Sequence, residues 1–279
     1  MILDGKAVAQ GIKNSVKDYI LEHNADVTLT IVQVEGNPAS DIYVRNKIKA
    51  CAEVGIKSNV IKLPANEETK DSKLAETLKN CKSDGIMLQL PLPKGWDEDY
   101  YINLIPEDRD ADCLTYKNLG RFYTSKTPYL SPCTVAGIMH LFNVYNIELN
   151  GKNAAIIGRS NIVGRPLAHA LEAADATVTL CHSKTSDLRN HLKDADIIIS
   201  AVGKPNFITR EMIGNKNVII IDVGINKDAA GRLCGDVDFE SLKDTCYAIT
   251  PVPGGIGPLT VACLLLNTLK LHMKEMLNG

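Results

Sequence analysis

No Cys-x-x-Cys pair and no two histidines at metal-ligand spacing occur in this 279-residue sequence. Its eight cysteines, at 51, 81, 113, 133, 181, 234, 246 and 263, therefore read as separate, mostly buried thiols rather than as a zinc site or a disulfide framework. Long hydrophobic runs are also missing. Val218-Ile-Ile-Ile221 and Val261-Ala-Cys-Leu-Leu-Leu266 fall far short of the roughly 20 residues that span a bilayer. Neither charge sign dominates: the formal net charge is −2, with acidic and basic residues interspersed, so no basic stripe points to nucleic acid or to an anionic membrane. The first residues, Met-Ile-Leu-Asp-Gly-Lys, lack the basic and apolar stretches of a secretory leader, and a cytoplasmic location is expected. Aromatic residues make up only 5% of the chain, and no internal repeat or low-complexity tract is present.

What is present is a composition 45% apolar and 23% charged, rich in Ile, Val, Leu and Ala, on a chain long enough for two hydrophobic cores. Helical spacing of Val8, Ile12, Val16, Tyr19 and Ile20 predicts a helix from Lys6 to His23. A β-branched strand from Val27 to Val34 follows and closes at Gly36-Asn-Pro38. A helix from Ser40 or Asp41 to Val54, a strand from Ser58 to Leu63, a helix from Asp71 to Cys81 and a strand from Asp84 to Leu90 continue the pattern. Alternating strands and helices imply a parallel sheet whose ligands gather beyond the carboxyl ends of the strands, where Gln89 lies. Pro91-Leu-Pro93 then ends the strand, since proline has no N–H for the ladder. Residues 97 to 131 read as polar and irregular, and a helix from Thr134 to Tyr145 marks the start of a second α/β unit. That unit has predicted strands at 153–158, 176–182, 197–202 and 218–223 and helices at 166–174 and 186–195; a long helix from Leu259 to Leu277 returns to the first domain.

Ala154 to Pro166 reads as a buried strand, a tight turn and a helix start, where a pyrophosphate can rest on helix N-terminal N–H groups. The turn is not Gly-x-Gly-x-x-Gly: in Gly158-Arg-Ser-Asn-Ile-Val-Gly164, Ser160 stands where the second glycine belongs and the last glycine comes one residue late. Taken alone, it is also compatible with an ordinary strand-to-helix turn. The next strand adds weight. It ends Leu180-Cys-His-Ser-Lys-Thr185 without the acid that binds a ribose 2′-hydroxyl in NAD sites. Ser183 can donate to a 2′-phosphate while Arg159, Lys184 and a protonated His182 offset its charge, so NADP is the expected cofactor and no metal is expected.

Tyr43 and Lys47 form a Tyr-x-x-x-Lys spacing. Short-chain dehydrogenases acting on alcohols carry that spacing after the dinucleotide loop, but here it precedes the loop by more than a hundred residues, which argues against that class. Polar pairs at i and i+4 are also commonplace on helix surfaces.

Taken together, several segments resemble the bifunctional methylenetetrahydrofolate dehydrogenase/cyclohydrolases over essentially the whole chain. They are Gly36-Asn-Pro-Ala-Ser-Asp-Ile-Tyr-Val-Arg-Asn-Lys47, Gln89-Leu-Pro-Leu-Pro93, Asp110-Ala-Asp112, Gly158 to Gly164, Cys181-His-Ser-Lys184 and Pro251-Val-Pro-Gly-Gly-Ile-Gly-Pro-Leu-Thr260. The resemblance implies oxidation of 5,10-methylenetetrahydrofolate by NADP⁺ and hydrolysis of the resulting methenyl cation to 10-formyltetrahydrofolate. It implies Lys47 as the catalytic lysine with Tyr43 and Gln89 beside it, Asp112 pairing with the pterin edge, and Pro253, Gly254 and Gly255 lying against the folate. It also implies cofactor contacts at Gly158, Arg159, Ser160, Ile162, Val163, Gly164, His182, Ser183, Gly224 and Ile225, and a homodimer. Hydride loss driven by the folate nitrogens needs no proton acceptor, whereas water attack does, so Lys47 belongs mainly to the hydrolytic step. The sequence departs from the family at Cys113, where glycine is usual, so a positive φ there would carry strain. Pro132-Cys-Thr-Val-Ala-Gly137 and Ile256 are further departures that remove no reacting group.

The expected architecture is therefore α/β with two domains and an active-site cleft between them: a folate-binding catalytic domain at 1–132 plus 259–279, and a Rossmann-like parallel-sheet NADP-binding domain at 133–258. A monofunctional dehydrogenase and a non-catalytic NADP-binding sensor remain as alternatives on sequence alone.

Overall fold

The structure, a computed structural model, describes residues 1–278 and divides into two compact units. One runs from Gln10 to Cys133 and resumes at Val261; the other comprises Met1–Ala9 and Thr134–Thr260.

In chain order the first of these elements are α1 (Gly5–His23), β1 (Thr28–Val34), α2 (Pro38–Val54), β2 (Lys57–Leu63), a π turn at Thr69–Lys73 leading into α3 (Leu74–Asn80), and β3 (Gly85–Leu88). The strands form a parallel sheet in the order β2-β1-β3. β1 is central and nearly all buried, which suits its Leu-Thr-Ile-Val run, while β2 is an edge strand whose polar residues face out. Leu74 and Leu78 of α3 pack with Val32, Ile86 and Leu88 in the core. The ladder continues one residue past β3, where the Gln89 N–H donates to Val32 O at 2.8 Å, and then the chain turns at a cis Leu90–Pro91 bond.

Residues 97 to 131, expected to be irregular, contain two helices: α4 (Glu98–Ile102) and α5 (Tyr116–Thr124). Both begin at side-chain caps, with Asp97 accepting from the Tyr100 N–H and Thr115 from the Asn118 N–H. Tyr101 and Ile102 are buried in the same core. Between the helices, residues 109–111 run beside β3, with the Ile86 N–H donating to Arg109 O and the Ala111 N–H to Ile86 O.

The other unit holds α6 (Cys133–Val144), β4 (Asn153–Ile157), α7 (Gly164–Glu172), β5 (Thr177–Cys181), α8 (Leu188–Leu192), β6 (Ile197–Ser200), a 3₁₀ turn at Arg210–Met212, and β7 (Ile219–Asp222). It continues with β8 (Asn226–Lys227), β9 (Leu233–Cys234), α9 (Phe239–Leu242) and β10 (Ala248–Ile249). Five parallel strands stand in the order β10-β7-β6-β4-β5, so the chain reverses direction across the sheet between β4 and β6, the switch point where such folds bind dinucleotides. The small β8–β9 hairpin and β10 were not foreseen, because two-residue strands carry no periodicity.

The first nine residues group with this unit rather than with residues 10–132. The Leu3 N–H donates to Ile249 O at 2.9 Å and the Ile249 N–H to Met1 O at 3.0 Å, which extends the sheet beyond β10. α10 (Ile256–Asn278) closes the chain. Its span Ile256–Met276 is long and apolar enough by composition to cross a membrane, yet more than half of it (56%) is buried within the protein. From Val261 onward it packs in the first unit as a core helix: the Asn267 side-chain amide donates to Ala111 O and Ser131 O, and His272 Nδ1 meets Asp84 Oδ1 at 2.9 Å.

Candidate active site

α2 carries Tyr43 and Lys47 one turn apart on a single face. Its first turn is tied down by Asp41, which accepts from Gln33 Nε2 at 3.0 Å and from Lys62 Nζ at 3.2 Å. Lys47 Nζ donates to Gln89 Oε1 at 2.9 Å, and Gln89 Nε2 donates onward to Leu90 O at 2.6 Å. The amide is therefore locked with its oxygen toward the lysine. Burial pushes the Lys47 ammonium below the usual lysine range, and the negative charge of Asp112 pulls it partly back. Burial also raises the Tyr43 phenol. A desolvated lysine that loses its proton readily, held by an acceptor that cannot neutralise it, can take a proton from water and return it.

Asp112 lies in the same unit, and burial raises its carboxyl while Lys47 opposes the rise. The turn that presents it is set by Asp110, whose carboxylate accepts from the Leu114 and Thr115 N–H groups and from Asn118 Nδ2. Cys113 takes φ +58°, so the backbone keeps the left-handed conformation that glycine would adopt without cost, with a buried thiol in its place. The second buried cysteine of this region, Cys133, donates to Ala111 O and sits among the charges around Asp112. Sequence reasoning did not place Asp110 or Cys133 here, although both stand within the quoted motifs.

In the other unit, Gly158 follows β4 with φ +121°, and a Cβ there would lie 2.4 Å from Ala201 O, just beyond β6. A Cβ on Gly164 would lie 1.9 Å from Gly158 O. Both glycines are thus required for the backbone itself to close this turn at the switch point. Ser160, between them, accepts from the Val163 N–H through Oγ at 3.2 Å and from the Arg165 N–H through its carbonyl at 3.1 Å, bracing the turn before α7 where the sequence lacks its second glycine. Ile162 and Val163, in the same turn, are partly buried.

After β5, Ser183 and Lys184 are exposed, and no carboxylate follows the strand before Asp187. His182 turns its Nδ1 back onto this loop, where it accepts from the Lys184 N–H at 3.1 Å. The positive charge at this loop comes from Lys184 and Arg159. A turn built to bring backbone N–H groups together, followed by a strand end with a hydroxyl and cations in place of an acid, fits a dinucleotide bearing a 2′-phosphate.

Gly224 and Ile225 follow β7 in this unit, as do Pro253, Gly254 and Gly255, which therefore do not group with Lys47. Gly254 has φ +108° and accepts from the Lys6 N–H at 2.9 Å, while a Cβ on Gly255 would lie 2.5 Å from Pro251 O. These two glycines are fixed first by the chain's own packing.

Residues 3–112 match the family model described as tetrahydrofolate dehydrogenase/cyclohydrolase, catalytic domain, and residues 132–276 match its NAD(P)-binding domain. The bifunctional protein FolD of Methanoculleus marisnigri is 47% identical over 272 residues, covering 97% of this chain and 95% of the relative. A crystal structure of the bifunctional FolD methylenetetrahydrofolate dehydrogenase/cyclohydrolase of Campylobacter jejuni superposes with a TM-score of 0.91 at 42% identity, covering 99% of both chains. The N5,N10-methylenetetrahydrofolate dehydrogenase-cyclohydrolase of Trypanosoma brucei, complexed with NADP cofactor and inhibitor, gives 0.91 at 34% identity over 99% of this chain and 98% of that one.

Proposed function

The chain belongs to the tetrahydrofolate dehydrogenase/cyclohydrolase family, and from that premise we propose that Lys47 is the proton shuttle of its hydrolytic half-reaction. The enzyme is bifunctional. It oxidises 5,10-methylenetetrahydrofolate to the 5,10-methenyl cation and hydrolyses that cation to 10-formyltetrahydrofolate. NADP⁺ supplies the hydride acceptor for the first reaction.

In the second reaction water adds to the methenyl carbon, a C–O bond forms, and the water must lose a proton. Neutral Lys47 accepts it. The resulting ammonium then protonates the folate nitrogen N5, the C–N5 bond breaks, and the remaining hydroxyl proton leaves as the formyl C=O forms on N10. Gln89 keeps Nζ oriented throughout, because its oxygen accepts from the lysine in either protonation state. Tyr43 stacks beside the substrate one turn before the lysine. Asp112 pairs with the amino-pyrimidine edge of the pterin, a role for which a carboxylate offers two acceptors. Pro253, Gly254 and Gly255 supply a backbone surface for the folate.

For the cofactor, the turn from Gly158 to Gly164 holds the pyrophosphate, with Arg159, Ser160, Ile162 and Val163 lining it. Ser183 and His182 donate to the 2′-phosphate, and Gly224 and Ile225 complete the site. Eight free cysteines suit a reducing compartment, and we assign the enzyme to the cytoplasm. We assign it a homodimeric state on family resemblance, which sedimentation equilibrium would check.

The observation that carries the reading is the 2.9 Å bond from Lys47 Nζ to a locked Gln89 oxygen, in surroundings that lower the lysine's proton affinity. Lys47→Met, shown to be folded, is expected to lose about 10²- to 10⁴-fold in methenyl hydrolysis. Its NADP⁺-linked oxidation should persist. Wild-type hydrolysis in this variant would overturn the assignment.

A further inference from the structure

Two buried carboxylates of the nucleotide-binding unit take no part in the chemistry above. Asp222 ends β7 and Asp236 lies two residues beyond β9; they are 3% and 0% exposed. Asp236 accepts from Ser200 Oγ at 3.1 Å, from the backbone N–H groups of Val202 (2.7 Å), Gly203 (3.3 Å) and Lys204 (2.9 Å), and from Asn226 Nδ2 at 2.9 Å. Asp222 accepts from the N–H groups of Gly224 (2.9 Å), Asp236 (3.0 Å) and Val237 (2.9 Å). One carboxylate thus positions the backbone of the other.

A buried charge satisfied by neutral donors is an expensive way to stabilise a fold, since apolar replacements of similar shape are often as good or better. Burial pushes the Asp222 carboxyl up to about 6, a sign of that cost. The location of the partners explains the arrangement. Val202–Lys204 is the loop leaving β6 and Gly224 begins the loop leaving β7, both at the carboxyl ends where parallel sheets bind ligands. Ala201, at the start of the first loop, is the residue that Gly158 of the phosphate turn approaches.

The glycines confirm how closely the loops are moulded to the acids. A Cβ on Gly224 would lie 2.1 Å from Asp236 Oδ1, and one on Gly235 1.8 Å from Asp222 Oδ2. With three successive N–H groups turned inward onto Asp236, the 202–204 loop has one permitted course. It leaves Gly203 and Lys204 exposed, and beyond β7 Ile225 is exposed at 43%, an apolar side chain at the mouth of the sheet.

We infer that Asp236 and Asp222 are positioning residues for the cofactor, holding the loops after β6 and β7 in the shape that receives NADP. This rests on the assignment of NADP to this unit. The test is Asp236→Asn, which keeps the shape but turns an amide N–H₂ toward backbone donors. NADPH affinity would be measured by fluorescence titration, KM for NADP⁺ and kcat for the oxidation separately, and methenyl hydrolysis without added cofactor as an internal control for folding.

The dissociation constant for NADPH and the KM for NADP⁺ are expected to rise about tenfold or more, with hydrolysis within about twofold of wild type. Unchanged NADPH affinity in the folded variant overturns the inference, as does an equal fall in hydrolysis and affinity, which would mark a general structural role. If Asp236→Asn does not fold, Ser200→Ala and Asn226→Ala each remove one donor. Each is expected to weaken NADPH about two- to fivefold, and wild-type affinity in both overturns the inference. A wild-type protein that binds no NADPH would instead sink the cofactor assignment on which it rests.

Discussion

In the unit from Gln10 to Cys133 the proposed chemistry rests on side chains placed by regular elements: Lys47 on a helix, Gln89 at a strand end, Asp112 on a capped turn. In the unit from Thr134 to Thr260 the proposed cofactor site rests on backbone. Gly158 and Gly164 close a loop by main-chain approach, and Asp236 gathers three consecutive N–H groups. The difference follows from the two tasks. A proton must be moved by a group with adjustable affinity for it, whereas a phosphate-bearing cofactor is held well by fixed dipoles. Mutation should therefore act differently in the two units. Changing the functional group should matter most in the first, and adding a single carbon should matter most in the second.

The largest separation is expected from Gly158→Ala. The added methyl meets Ala201 O at 2.4 Å and the residue must hold φ +121°, so NADPH affinity should fall by roughly two orders of magnitude or the unit should lose about 2–4 kcal/mol of stability. Cofactor-free hydrolysis should survive. Equal loss of both activities would show that the units do not divide the work in this way.

A smaller effect sharpens the side-chain half. In its proposed role Lys47 is a base when neutral, so hydrolysis, corrected for the uncatalysed rate, should rise with pH through a lysine pKa that burial has lowered, and then level. Asp112 raises that pKa by its charge. Asp112→Asn removes the raising influence, so the inflection of its pH profile should move to lower pH even as the folate KM increases. An inflection unmoved, or moved to higher pH, would remove Asp112 from the electrostatics of the lysine.

The smallest effect concerns a place in the proposed site of the side-chain unit that also depends on an unusual backbone. Because Cys113 sits at φ +58°, Cys113→Gly should be more stable than Cys113→Ala by about 1 kcal/mol, reversing the usual order of the two residues. Thermal or urea unfolding of the two variants would decide it.

The longer sheet strands were legible because runs such as Ile197-Ile-Ile-Ser200 stand between turn formers, and Gln89 was placed at a strand end because Pro91 had to stop the ladder. α4 and α5 were not, since helices of five and nine residues offer few periods and their polar caps read as loop. The positive φ at Cys113 was foreseeable as a conditional from its neighbourhood, but only the fold shows that the turn keeps it. The contact of His182 Nδ1 depends on a backbone N–H two residues away, and the pairing of Asp222 with Asp236 on a hairpin between them. Neither leaves a trace in residue types alone.

The eight cysteines have a practical consequence. Cys51, Cys113, Cys133 and Cys263 are buried in one unit and Cys181 in the other, and burial raises all of these thiols, Cys51 and Cys263 to about 12. None can react with an alkylating reagent until its surroundings open, because the thiolate is the reactive form. Site-resolved alkylation by mass spectrometry would therefore time the opening of each unit separately, with the natural sequence serving as its own set of labels.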